Sequence, residues 1–98
     1  MTEVEFNLLG DRWVEETAFR SDPGDSHPIA LGLVAIGYEV VPYILRRIAR
    51  NPVKAQVGWL SMLAHITKES IIPVDRRGDV GYMVDAWIRW GYDKFILT

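Results

Sequence analysis

The chain contains no cysteine, which excludes a disulfide-stapled scaffold, a thiolate metal site and a thiol nucleophile. It also lacks a glycine-rich phosphate loop, and Ser21, Ser26, Ser61 and Ser70 have no nucleophile-elbow context. Neither sign of charge is in large excess. The net charge is -2 at pH 7 and the pI near 5.6, so no bulk attraction to nucleic acid or to an anionic membrane is expected. Long hydrophobic runs are missing: the most apolar stretch, Pro28 to Ile36, falls far short of the roughly 20 residues that span a bilayer. The N-terminus carries Glu3 and Glu5 and not the basic flank and apolar run of a signal peptide. A cytoplasmic, non-membrane protein is the expectation.

What is present describes a packed globular chain. Of 98 residues, 49% are hydrophobic and 11% aromatic, with only 24% charged, which is the balance of a folded domain and not of a disordered one. One domain over residues 1–98 suffices to enclose a single core.

The organising stretch runs from His27 to Ile66 and reads as helix, tight turn, helix, turn, helix. Gly37 closes the first apolar run, because glycine best takes the left-handed backbone that ends a helix. Pro42 then fits the first turn of a new helix, placing the start between Glu39 and Pro42. Val41, Ile44, Leu45, Ile48 and Ala49 share one face of it, and Arg46, Arg47 and Arg50 fall on the opposite, solvated arc. Asn51-Pro52 stops this helix, since the residue before proline is pushed out of the helical region. A further helix from about Val53 to Thr67 presents Trp59, Leu60, Met62, Leu63 and Ile66 on its apolar side, with Gly58, Ser61 and His65 along a narrower strip.

Around this centre, Thr2 and Glu5 have the spacing of a capping box, which favours a helix from about Glu3 to Arg20 with Phe6, Leu9 and Trp13 in one stripe. The alternation of Val4, Phe6 and Leu8 with Glu3, Glu5 and Asn7 leaves a short strand as the other reading. Ser21 to Ser26 is a turn-rich loop, after which Ser26 or His27 caps the second helix with Pro28 in its first turn. Lys68 to Gly78 is an irregular connection whose Ile71-Ile72-Pro73-Val74 packs back over the core. Asp79 caps a last helix that Gly91 ends, with an Asp85–Arg89 pair on its outside. The tail, Tyr92 to Thr98, carries Phe95, Ile96 and Leu97.

These residues also carry a resemblance. Ala-Ile-Gly at 35–37, Pro42, Ile44-Leu45, the Asn-Pro turn and a second apolar helix look like one HEAT-type helical hairpin. The wider pattern is similar to a family of small uncharacterised prokaryotic proteins. It runs through Trp13, Glu16-Thr17, Ser21, His27-Pro28, Gly37, Pro42, Trp59, Leu63, Ile66-Thr67, Pro73, Gly78, Met83, Trp87 and Trp90-Gly91. The chain departs from it at Lys68, where such sequences usually place glycine. The resemblance implies a fold and no activity.

The architecture expected is all-α, about five helices in antiparallel hairpins forming a HEAT-like short stack whose ends the first and last helices close, with the first helix and the C-terminal tail carrying apolar residues beyond what one core requires. Chemistry is sparse. His27 lies near Asp22 and Asp25 in sequence, but the spacing matches no recognised metal site, and His65 has no acid or nucleophile fixed beside it. No catalytic residue, cofactor or metal is assigned, and Arg77-Gly78-Asp79 is read as a loop leading to a helix cap. Two features point to partners: Arg46, Arg47 and Arg50 with Arg76 and Arg77 form small basic spots, and Val4, Leu8 and Phe19 are apolar beyond what one core requires. The function expected is a non-enzymatic protein–protein interaction module, an adaptor, inhibitor or small subunit of a prokaryotic complex. An antitoxin or phage-defence accessory is one form of it. The partner is another protein or a second copy; a nucleic-acid-associated accessory using the arginine face is the alternative.

Overall fold

In the computed structural model of the chain, the described residues are 1–18, 26–50, 56–94 and 96, with backbone alone at Gln56. They form α1 (Glu3–Thr17), α2 (Pro28–Ile36), α3 (Val41–Arg50), α4 (Gln56–Thr67) and α5 (Val80–Asp93), with 3-10 turns at Gly37–Val40 and Val74–Arg76. The fold is all-α, and no strand occurs among the described residues. Phe19, the loop residues Ser21 to Asp25, the Asn51-Pro52 stop, the start expected for the fourth helix at Val53, and Phe95 and Leu97 lie outside the described residues.

The helix starts are local chemistry. The Thr2 hydroxyl accepts from the Glu5 backbone N–H at 3.1 Å and the Thr2 N–H donates to the Glu5 carboxylate at 3.0 Å, satisfying two donors that a helix start otherwise leaves unpaired. This reciprocal cap settles residues 3–8 as helix and sets aside the strand. His27, and not Ser26, caps α2: its Nδ1 accepts from the Ile29 N–H at 3.1 Å. Asp79 caps α5 by accepting from the Tyr82 N–H at 3.0 Å.

Gly37 ends α2 with φ +83° and ψ -140°, a conformation that excludes a side chain. The break matters, because Pro28–Arg50 is by length and composition apolar enough to cross a membrane. Gly37 divides it into two helices, and Ala30, Leu33, Val40, Val41, Ile44, Leu45 and Ile48 are all buried in the core.

The helices pack as α1 on α2 and α3, α2 on α4, α3 on α4 and α5, and α4 on α5, with α2 and α3 both packing on the 3-10 turn between them. At the centre, the Trp13 and Trp59 rings meet edge to face at 4.6 Å and Phe6 lies 5.4 Å from Trp59, within the range where tilted aromatic pairs attract. Ile71 and Ile72 are half-buried against this core, so the connection does fold back, but Val74 is exposed.

Three expectations are corrected. Ala49 is exposed; at 100° per residue it lies at the rim of the apolar arc and not within it. The arc carrying Arg46 and Arg47 is not left to solvent, because α1 packs across it. Gly91 does not end α5, which continues to Asp93. Gly91 is buried, and its carbonyl accepts from the Ile96 N–H at 2.9 Å.

Candidate interaction surface

The arginine face is the first candidate, and most of it is spent inside the molecule. Arg46 donates three hydrogen bonds of 2.7–3.1 Å to the Glu3 carboxylate. The hydrogen bonds from Arg46 hold the Glu3 carboxyl below its ordinary range, and the same bonds raise the Arg46 guanidinium above its own. Arg47 donates to the Asn7 side chain at 3.1 Å and to Asp11 at 2.7 Å, and its guanidinium sits 5.1 Å from the Trp59 ring centre. Arg50 is more open and reaches Glu3 at 3.6 Å. Arg76 approaches Asp79 at 3.9 Å and lies over the Tyr82 ring, while Arg77 is exposed. These groups therefore fasten α1 to α3 and trim the start of α5.

Val4 and Leu8 are exposed one helical turn apart on α1, on the side away from Phe6, Gly10 and Trp13. Phe19 lies outside the described residues. The Gly58, Ser61 and His65 strip is graded, with Gly58 buried, Ser61 half-buried and His65 exposed.

Among the described residues, the most apolar exposed face belongs to α2. None of its nine residues, PIALGLVAI, has a polar side chain, yet only Ala30 and Leu33 are buried. Pro28, Leu31, Gly32, Ala35 and Ile36 are exposed, Leu31 to 56%. Gly32, Ile36 and Leu9 also line an open groove between α1 and α2 of about 320 Å³, walled by Pro28, Ile29 and Leu33 as well. Sequence reasoning did not select this face. The signal was available: a helix apolar on all sides must be enclosed on all sides or leave apolar surface exposed, and one domain of this size supplies too few neighbours.

Each end of α2 carries a polar tie to α1. At its start the Glu16 carboxylate bridges His27 Nε2 at 2.7 Å and the Arg12 Nε at 2.8 Å. The Arg12 hydrogen bond, followed by that of His27, lowers the Glu16 carboxyl below its ordinary range. Because Nδ1 accepts from the Ile29 N–H, that nitrogen carries no proton and Nε2–H donates to Glu16. Just beyond the other end stands Glu39, 3.7 Å from the Met1 amine. The ends of α1 and α2 thus meet in opposite order, and the two helices run antiparallel.

No group of three or more His, Asp or Glu side chains gathers as a metal set among the described residues. His27 is engaged in helix capping and His65 stands exposed. Comparison with known proteins finds no matching family model, no matching curated protein and no matching solved structure.

Proposed function

We propose that this protein is a non-enzymatic protein–protein interaction module, an adaptor, inhibitor or small subunit of a prokaryotic complex. The observation that carries the reading is the exposed apolar face of α2 with its adjoining groove. A contiguous apolar surface left in water is unfavourable by roughly 25 cal/mol per Å², and such surfaces mark contact sites. Reading the chain as HEAT-like hairpins draws support from the packing of each helix on its next-but-one neighbour and of α1 on α2, α3 on α4 and α4 on α5. A cytoplasmic setting accompanies the proposal. The internal pairing of Arg46 and Arg47 lends the nucleic-acid alternative less support.

The test is chemical cross-linking of the purified protein, alone and in native extract, against a Leu31→Glu/Ile36→Glu variant. Both positions are exposed, so the helical circular dichroism should not change. The reading expects a stoichiometric protein adduct, with itself or another chain, that the variant loses. Absence of any such adduct overturns it.

A further inference from the structure

We propose that His27 is a proton-operated switch between two helices: the neutral ring caps the start of α2, and the imidazolium leaves that cap to serve the end of α1. The ring stands where these two helix ends meet and is only 12% exposed. Its Nδ1 accepts from the Ile29 N–H at 3.1 Å, and its Nε2 donates to Glu16 Oε1 at 2.7 Å. Glu16 lies in the last turn of α1, and its other oxygen accepts from the Arg12 Nε at 2.8 Å. An added proton must therefore enter at Nδ1. That nitrogen then becomes a donor facing the Ile29 N–H, itself a donor, and the capping hydrogen bond can no longer form.

The start of α2 depends on that bond. Pro28 has no N–H, and the Leu31 N–H already donates to the His27 carbonyl at 3.0 Å, which leaves the Ile29 N–H to the ring. The charges of the two helix ends act in the same direction. A helix start is electropositive, and α2 has no acidic residue in its first turn to offset a cation. A helix end is electronegative, and α1 has no basic residue in its last turn, so an imidazolium beside Glu16 supplies the charge that end lacks. Arg12 opposes the extra positive charge, but at 71% exposure water screens it. Among the described residues, α4, which also packs on α2, has His65 as its titratable residue, and His65 is exposed. The 3-10 turn carries Tyr38 and Glu39 at the far end of α2, and α2 itself has no titratable side chain.

Histidine side chains gain their proton between about pH 8 and 5, so the device works on mild acidification. The hydrogen bond lost and the ion pair gained are of comparable size and opposite in sign, so the change is local and not a loss of overall stability. It falls on Pro28 and Ile29, two walls of the apolar groove between α1 and α2. The switch does not depend on any partner for the α2 face.

The experiment is an NMR titration of the isotope-labelled full chain from pH 8 to pH 5. Protection of the Ile29 amide, corrected for the intrinsic pH dependence of exchange, should fall about fivefold, the factor that corresponds to the loss of one cap. It should follow the same curve as the His27 ring nitrogens. His27→Asn, which caps without titrating, should hold the Ile29 amide constant, and His65→Gln should leave the response intact. Glu16→Gln should move the transition to lower pH, because the carboxylate that draws the imidazolium is gone. An Ile29 amide indifferent to pH, a response that persists in His27→Asn or vanishes in His65→Gln, or a transition unmoved by Glu16→Gln overturns the proposal.

Discussion

Arg46 clasps Glu3 across 43 positions of sequence, with Nη2 at 2.7 Å and Nε at 3.0 Å from the same carboxylate oxygen. The pair joins the first turn of α1 to the side of α3 that α1 covers, reinforced by the Tyr43 hydroxyl donating to the Met1 carbonyl at 3.3 Å. Both side chains retain partial exposure, so water screens the attraction. We expect Arg46→Ala to lower stability by about 0.5–1 kcal/mol. Arg46→Lys should recover only part of this, because an ammonium cannot reproduce the planar fork of a guanidinium. Urea unfolding monitored by tryptophan fluorescence checks the order of the three proteins; equal midpoints for Lys and Arg would contradict the fork argument.

Acid should loosen the same junction. Glu3 is lowered chiefly by the Arg46 hydrogen bonds, Glu5 by the hydrogen bond from the Thr2 backbone, and Glu16 by that from Arg12. A carboxyl whose folded value lies below its unfolded one binds fewer protons when folded. Its stabilisation is complete above the ordinary value of 4.5 and declines as pH falls through the lowered folded values. Unfolding midpoints should therefore be flat near neutrality and fall below about pH 4.5, with a shallower fall in Glu3→Gln. Identical acid profiles for the two proteins would remove Glu3 from the explanation.

Gly10 is a packing requirement. An added Cβ there would stand 3.0 Å from two Trp59 ring carbons and from the Arg47 guanidinium. The guanidinium can yield, but Trp59 is 2% exposed and held between Phe6 and Trp13. Gly10→Ala gains up to about 1 kcal/mol of helix propensity against an overpacking cost of roughly 1–3 kcal/mol. The expected net effect is destabilisation, with a Tm lowered by about 4–8 °C for each kcal/mol lost. A raised Tm would show that the indole moves aside.

How much of this was legible follows from the range of the interactions. The capping box of Thr2 and Glu5, the Gly37 break, the Asp79 cap and the Asp85–Arg89 pair at 2.9 Å depend on residues within four positions of each other, and all were read from spacing. The role of Arg46 and Arg47 was not, because their partners Glu3, Asn7 and Asp11 lie 36–43 positions away. Helical periodicity reports which residues share a face, but it does not say which face a distant helix will cover. For the same reason the apolar excess was assigned to α1 and the tail, while the larger exposed strip lies on α2.

Lys68 is the one described residue other than glycine with positive φ, at +57°. It follows α4, and its N–H donates to the Ala64 carbonyl at 2.9 Å, so the strained backbone is fixed by the end of the helix. An L side chain in this region costs about 1–2 kcal/mol relative to the right-handed one, whereas glycine bears no such cost but has more unfolded-state entropy to lose. We expect Lys68→Gly to stabilise by about 0.5–1 kcal/mol and Lys68→Val to destabilise. Chemical denaturation of the three proteins tests it, and a lower midpoint for Lys68→Gly would refute the strain argument.

His27 does two separable things, and substitutions can divide them. Nδ1 caps α2 through the Ile29 N–H at 3.1 Å, while Nε2 ties the helix start to Glu16 at 2.7 Å. Asparagine is a strong N-cap whose shorter side chain can serve the first role but not reach as the imidazole does for the second. His27→Ala removes both, and its cap loss alone should cost about 1 kcal/mol. His27→Asn should retain most of the stability. It should nevertheless raise the Glu16 carboxyl toward its ordinary value, since one of the two side-chain hydrogen bonds lowering it is gone. NMR titration of the Glu16 side chain in both variants reads the tie, and thermal unfolding reads the cap. If Asn destabilises as much as Ala, the cap is not what His27 contributes; if Glu16 titrates alike in wild type and variants, the tie is not formed in solution.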